Sequence, residues 1–386
     1  MQDALLITTS IAGLLLIGML LSMIGKKLRI PDALLLLIAG MLLAQLHYNN
    51  QPLIQFPPLF LDSLAILTLA MVIFASSAKL RLRELDTLSS RALTLSSVNA
   101  IFILVFFSAA AHYILGISIL SSLLFSSIIL GTVPEITLGT HYKTRAANML
   151  ILESIFNTPL SVVLPFLFLK LMQTVPEMAP SVLLDHTIPF LMNIIVGIGA
   201  GVFVGIILLK LIQHAYTQVY APLAVIIAAL LAYVLAENLG GSGVLAVTTL
   251  GIFFGNIYVK EKIKLLETES VLTKAFTILL FILTGLVIDL PYNTTFFITS
   301  GLLFAAFVFI RFIATTLSLK GYTWHEKLYM ALNAPKGIAT ISVVFVLATH
   351  NVQDVSIVAD MATAFFLYSI ILGTITARVA NENHTH

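Results

Sequence analysis

The sequence predicts an all-α membrane protein with about 13 transmembrane helices in two inverted six-helix repeats and two crossing discontinuous helices. Three observations lead there. Apolar runs of about 20 residues recur along the chain, each long enough to cross roughly 30 Å of hydrocarbon. Basic residues sort to one side of the membrane when those runs are counted as thirteen. Two runs, seven apart, are interrupted near mid-depth by a proline beside an ionisable residue.

Composition sets the class. The chain has 386 residues, 59% hydrophobic and 10% charged, where soluble domains carry roughly 25% charged residues. Mean hydropathy is +1.05. The apolar runs leave no segment for a soluble domain, so residues 1–386 read as one transmembrane domain. Cysteine is absent, which excludes disulfides, thiolate metal sites and cysteine nucleophiles. There is no basic tract for nucleic acid.

Splitting the runs at charged or turn-rich breaks gives spans near 4–24, 33–46, 59–78, 92–115, 118–139, 147–171, 187–211, 219–237, 243–258, 271–288, 295–318, 327–348 and 355–378. The first, "DALLITTSIAGLLLIGMLLSMIG", is followed by "KKLRIPD" and not by a small-residue cleavage site. It is therefore expected to be a retained helix and not a signal peptide. Repeat one covers about 1–171, a linker helix about 187–211, and repeat two about 219–378.

Short cytoplasmic loops hold the excess of Lys and Arg. With the N-terminus outside and the C-terminus cytoplasmic, 17 of the 20 basic residues fall at cytoplasmic ends, from Lys26 and Lys27 through Arg91 and Lys274 to Arg378. Lys170 lies near an outer helix end and can snorkel. Arg311 and Lys336 fall inside spans. A miscounted helix would scramble this pattern.

The interrupted spans are the fifth, "ILGTVPEITLG", and the twelfth, "ALNAPKGIATIS". An odd offset of seven reverses the direction of travel, as inverted halves require. One proline would read as a kink; two at matched positions, each with an ionisable neighbour, point to the substrate site of a secondary transporter. Pro134 lacks an N–H and suits the first position of a half-helix, with Thr132 as a cap. Glu135 then lies in the first turn, where unsatisfied N–H groups favour negative charge. By the same logic Asn333 would cap a half-helix opened by Pro335. Lys336, a cation at a helix start, should instead face the carbonyl ends of the crossing half-helices or a carboxylate, with Glu135 the candidate partner.

Further charges lie at depth, where they are costly and usually pair. "LESIFNTPLSVVLPF" puts Glu153 and Asn157 one turn apart on one helical face, with Ser154, Thr158 and Ser161 on an adjoining face. A Glu153–Arg311 ion pair is expected, with two roles open: tying two helices together or relaying protons. Asp289 and Asp360 read as cap or loop residues. No H-E-x-x-H, G-x-S-x-G or phosphate-binding glycine loop is present, so an enzyme is not expected.

These motifs together resemble the cation:proton antiporter superfamily, the sodium/hydrogen exchangers. "KKLRIPDALLLLIAGMLL" looks like its second-helix signature, and "ESIFNTP" matches the E-S-x-x-N-D motif of its electroneutral branch through Glu153, Ser154 and Asn157. "TVPE" stands where that branch has T-D-P, and "APKG" where it has a G-x-R-G type motif. Arg311 matches the basic residue that pairs with the helix-6 glutamate. The resemblance covers essentially the whole chain and implies an integral protein of the cell membrane. It further implies a homodimer whose six-helix core moves like an elevator, with monovalent cations and protons as its partners besides the lipid bilayer. No chemical cofactor is implied.

The departures matter for chemistry. The ion-binding aspartate after Asn is Thr158 here, the T-D-P aspartate is Val133, and "FASSAKL" near the end of the third span has no carboxylate. Thr132, Ser154, Asn157 and Thr158 can coordinate a cation but cannot titrate. Exchange needs a group at which proton and metal ion compete, so either Glu135 or Glu153 titrates, or the chain does not exchange sodium for protons. Desolvation at the crossing favours Glu135 as a proton carrier, whereas a tight pair with Lys336 would make it a fixed counter-charge. The expected function is exchange of sodium, lithium or potassium for protons by alternating access. The alternatives are a carrier for another small ion or solute on the same scaffold and a non-transporting relative.

Overall fold

The computed structural model describes residues 2–28, 30–48, 51–52, 54–80, 87–134, 144–174, 180–214, 220–256, 262–348 and 354–382. Helices α1 (Gln2–Leu28) and α2 (Asp32–Ala44) are followed by a two-stranded ribbon pairing His47–Tyr48 with Gln51–Pro52, then α3 (Pro58–Ser77). Helix α4 (Thr87–Phe102) runs through a π-helical turn, Ile103–Phe107, into α5 (Ser108–Leu115). Next come α6 (Ile119–Ile128), α7 (Arg145–Thr174), α8 (Pro180–His214), α9 (Tyr220–Asn238) and α10 (Gly243–Asn256). The chain continues with α11 (Lys262–Val287), α12 (Thr294–Ser318), α13 (Trp324–Leu332), α14 (Ile338–Ala348) and α15 (Val355–Glu382).

Among the described residues, seven helices are long and apolar enough to cross a membrane, and six shorter apolar helices accompany them. The shorter ones correspond to spans two, five, eight, nine, ten and twelve of the sequence reading. Large apolar side chains such as Leu5, Met23, Ile188, Ile195, Ile298 and Phe309 point outward, as lipid-facing surfaces require, while the polar groups of the interior sit among the helices.

Local chemistry sets the helix ends. Pro57 and Pro58 open α3, where the missing N–H costs nothing. Gly116 closes α5 in the left-handed region at φ 67°, its N–H donating to the His112 carbonyl at 2.9 Å. Asn293 caps α12 by accepting from Phe296 N–H at 2.7 Å. Thr323 and Glu326 form a reciprocal capping box at the start of α13.

Two sets of helices result. In one, α2 packs along α11 and α8 packs on α9 and α10. Gly40 and Gly285 face each other across the α2–α11 contact, where a Cβ on Gly40 would lie 2.1 Å from the Ile282 carbonyl oxygen. Small residues at such a crossing let backbones approach closely in lipid. In the other set α7 is central, touching α4 and α6, while α12 packs on α4 and α13, and α14 on α15. Helix α3 packs on α9, α10 and α11 of the first set and on α7 and α14 of the second, and so links the sets.

Candidate functional site: the segment after α6 and the break before α14

Helix α6 ends at Ile128, and residues 129–134 leave the helical path. The twelfth span is divided into α13 and α14 by a non-helical segment, Asn333 to Gly337. The two segments touch directly, Val133 N–H donating to the Pro335 carbonyl at 2.8 Å. The approach is so close that a Cβ on Gly337 would stand 2.2 Å from Val133 Cγ2. Glycine at 337 is therefore a condition of the crossing.

One sequence expectation changes here. Pro335 does not open the second half-helix, because α14 begins at Ile338 and Asn333 is instead the C-terminal cap of α13, its N–H donating to Tyr329 O at 2.9 Å. The intervening backbone stays out of the helix while its polar groups find partners across the contact. Pro335 offers its carbonyl to Val133, and Lys336 N–H donates to Ser369 Oγ at 3.0 Å. Pro134 is buried; Glu135, and hence its expected pairing with Lys336, lies outside the described residues.

Lys336 is completely buried. Its Nζ donates to the carbonyl oxygen of Ile129 at the end of α6 and sits 4.2 Å from the centroid of the Phe307 ring. A helix C-terminus carries partial negative charge and an aromatic face attracts a cation, so the ammonium is held by dipoles. Among the described residues no carboxylate lies within ion-pair distance of it.

Beside the crossing, α7 and α12 bring Glu153 and Arg311 together. Arg311 Nη1 donates to Glu153 Oε1 at 3.0 Å and Nη2 to Oε2 at 2.8 Å, a bidentate pair with both side chains at 1% exposure or less. Asn157 Nδ2 at 2.9 Å and Asn99 Nδ2 at 3.2 Å also donate to Oε1. Asn157 Oδ1 accepts a short hydrogen bond from Ser96 Oγ. Arg311 Nε donates to Met330 O of α13 at 3.4 Å, tying the pair to the interrupted span. Four donors on one carboxylate leave little capacity for another ligand.

The remaining candidates separate clearly. Ser154 Oγ donates to Ile151 O and Thr158 Oγ1 to Ser154 O, both at 2.7 Å, so each hydroxyl is turned back onto its own helix. Thr132 is different: it is fully buried, and Oγ1 has no hydrogen-bond partner. A buried unsatisfied hydroxyl is costly, which suits a position where a substrate supplies the missing contact. Asp289 follows α11 and is exposed, whereas Asp360 lies in the second turn of α15 and is half-buried. Sequence reading did not single out Ser96, Asn99, Phe307 or Ser369. Only the i, i+3 spacing of Ser96 and Asn99, which puts both on one face of α4, was available to signal them.

Fold and site together define a polytopic membrane transporter in which the segment after α6 meets the break between α13 and α14 beside a buried network of charges. The chain belongs to the sodium/hydrogen exchanger transmembrane family, whose family model matches residues 11–382. It is a family of exchangers and not of enzymes. Among relatives, Na(+)/H(+) antiporter 1 of Methanocaldococcus jannaschii is 24% identical over 393 residues, covering 94% of this chain and 88% of the relative. The K(+)/H(+) antiporter NhaP of Alkalimonas amylolytica is 25% identical over 299 residues, covering 74% of this chain and 50% of the relative. The solved structure of the sodium proton antiporter MjNhaP1 from M. jannaschii at pH 8 superposes with a TM-score of 0.78 at 20% identity, covering 98% of both chains. That likeness establishes the fold.

Proposed function

We propose that the chain exchanges a monovalent cation, sodium, lithium or potassium, for protons by alternating access. The observation that carries this reading is the contact between the two interrupted spans, with Lys336, the unpartnered Thr132 hydroxyl and the Glu153–Arg311 pair beside it. Membership in a family of exchangers, with both Na(+)/H(+) and K(+)/H(+) antiporters among its relatives, supports it. Glu153 and Arg311 are assigned a structural, charge-compensating role, because the carboxylate already accepts four donors. Thr132 is the preferred oxygen for the ion, because the Ser154 and Thr158 hydroxyls are turned onto their own helix and Asn157 is engaged by Glu153 and Ser96. Glu135 and Lys336 are the two ionisable residues at the interrupted spans, and the proton carrier is one of them.

The sorting of basic residues supports a plasma-membrane protein with its N-terminus outside and its C-terminus in the cytoplasm. The seven-span offset supports the two inverted repeats, about 1–171 and 219–378, joined by the linker helix about 187–211, and family membership supports a homodimer. The missing aspartates at Val133 and Thr158 favour, as the second reading, a carrier for another small ion or solute. Cation-driven proton movement in proteoliposomes of purified protein decides between them. Exchange with at least one of the three ions is expected, and no exchange with any of them rejects the antiporter reading.

A further inference from the structure

We infer that Asp354 is a positioning residue for cation binding: from the head of α15 its carboxylate completes the N-terminal cap of α6, and so fixes where the carbonyl end of α6, with Thr132 just beyond it, stands. This rests on the antiporter reading and adds to it a residue that touches neither the ion nor the proton.

The local sequence of α6 leaves a place for it. Ser118 is the N-cap, its Oγ accepting from Ser121 N–H at 3.0 Å. In a capping box a Glu or Gln at the third helical position reaches back to accept from the N–H of the cap. Here that position is Ser121, whose hydroxyl donates to another group instead. The missing acceptor is Asp354, 236 residues from Ser118 along the chain, whose Oδ2 accepts from Ser118 N–H at 3.2 Å. The same Oδ2 accepts from Ser121 Oγ at 3.2 Å. A carboxylate at this point also meets the positive end of the α6 dipole.

The backbone of Asp354 indicates that its side chain is in use. Its φ is 62°, in the left-handed region, and the other described residues at positive φ are Gly116, Gly240 and Gly321. Glycine takes that conformation without steric cost, so the turn into α15 alone would be met by glycine. Asp is among the side chains that tolerate it, and a side chain is what reaches α6.

Helix α6 has 10 residues, fewer than the roughly 12–15 at which an isolated helix becomes even marginal. Its place therefore depends on what grips its ends. At the far end the Ile129 carbonyl accepts from Lys336 Nζ, and the Ile128 carbonyl from Thr340 Oγ1 at 3.5 Å. Lys336 N–H in turn donates to Ser369 Oγ of α15 at 3.0 Å. These bonds close a frame: Asp354 to the head of α6, its tail to Lys336, Lys336 to Ser369, and α15 back to Asp354. The α6 side, from Ser118 to Ile129, is about 16 Å of nearly continuous helix, so a tie at its head sets the position of its tail. Without the Asp354 tie α6 is free to tilt, and its carbonyl end moves together with Thr132, whose buried Oγ1 has no partner. Misplacing oxygens that hold the bound cation raises KM and leaves kcat in place.

The test compares wild type, Asp354→Gly, Asp354→Asn and Ser121→Ala in proteoliposomes, measuring initial rates of cation-driven proton movement against cation concentration, with Tm in detergent alongside. Asp354→Gly eases the backbone and removes the tie. Its apparent KM is expected to rise about three- to tenfold at unchanged maximal rate, the scale of one hydrogen bond to a charged group transmitted in part. Asp354→Asn keeps an acceptor oxygen and tolerates the φ, and is expected to bring KM back to within about twofold of wild type. Ser121→Ala removes one of the two donors and is expected to fall between wild type and Asp354→Gly. A cap with no part in ion binding would lower Tm and leave KM alone. Unchanged KM in Asp354→Gly, whatever its Tm, therefore overturns the inference, as does a KM raised equally in Asp354→Asn. Should Asp354→Gly not fold, Ser121→Ala decides, and unchanged KM there overturns the inference. Either result with an exchanging wild type leaves the antiporter reading standing; a wild type that exchanges none of sodium, lithium and potassium rejects that reading and the inference with it.

Discussion

Glu153 and Arg311 show what a single residue can disclose in a membrane sequence. Charges at depth are rare enough that one glutamate and one arginine identify each other, and the two are in bidentate contact. Among the described residues Lys336 donates to the backbone carbonyl of Ile129, a partner that no side-chain pattern announces. The same holds for Ser96 and Asn99, ordinary polar letters in α4 until Asn157 and Glu153 are placed opposite them. Removing one member of the buried pair should be severe: Arg311→Leu leaves an uncompensated carboxylate and should cost about 3–5 kcal/mol, read as a lowered Tm in detergent. Replacing both residues, Glu153→Met with Arg311→Met, should recover most of that loss, because well-packed apolar groups substitute for a buried pair at little net cost. A double variant no more stable than either single variant would mean the charges are needed beyond each other.

At the scale of elements, the break between α13 and α14 was legible from proline beside a charge, but the restart of the second helix was not. Proline suggested a helix opening at 335; the non-helical run to Gly337 is instead held by hydrogen bonds to the segment after α6 and to Ser369. Pro159 and Pro165, by contrast, lie inside α7 without ending it. The π-helical turn at Ile103–Phe107 left no trace in the hydrophobic pattern. It ends at Phe107, whose ring meets Phe125, Phe307 and Phe365 edge-on at centroid distances of 5.3, 6.2 and 5.6 Å. The aromatic floor under Lys336 thus begins at an irregular turn. Because the crossing has no room for a side chain at 337, Gly337→Leu should destabilise by roughly 1–3 kcal/mol and abolish exchange. Shortening the neighbour, as in Gly337→Ala with Val133→Ala, should restore folding and part of the transport rate. Unimpaired exchange in Gly337→Leu would mean the segments separate during transport further than this packing implies.

Across the whole molecule, the number of spans was legible because lipid imposes length and the positive-inside rule imposes parity. What was not legible was which faces meet: thirteen apolar helices look alike to hydropathy, and the contacts of α2 with α11 or α7 with α4 arise from small residues and buried amides. Orientation can be measured directly, since the chain contains no cysteine and single cysteines can be introduced without a background. A membrane-impermeant maleimide should label Tyr292→Cys in intact cells and Lys26→Cys only after permeabilisation; the reverse pattern would invert the topology. Native mass spectrometry should give a dimer mass. The measurement that bears most directly on a cation and a proton sharing one space is the apparent cation affinity of the wild-type exchanger across pH. Competition at a single group predicts that affinity weakens by about tenfold per unit fall in pH on the acid side and levels off on the alkaline side. An affinity that does not change with pH, in a protein that still transports the cation, would contradict it.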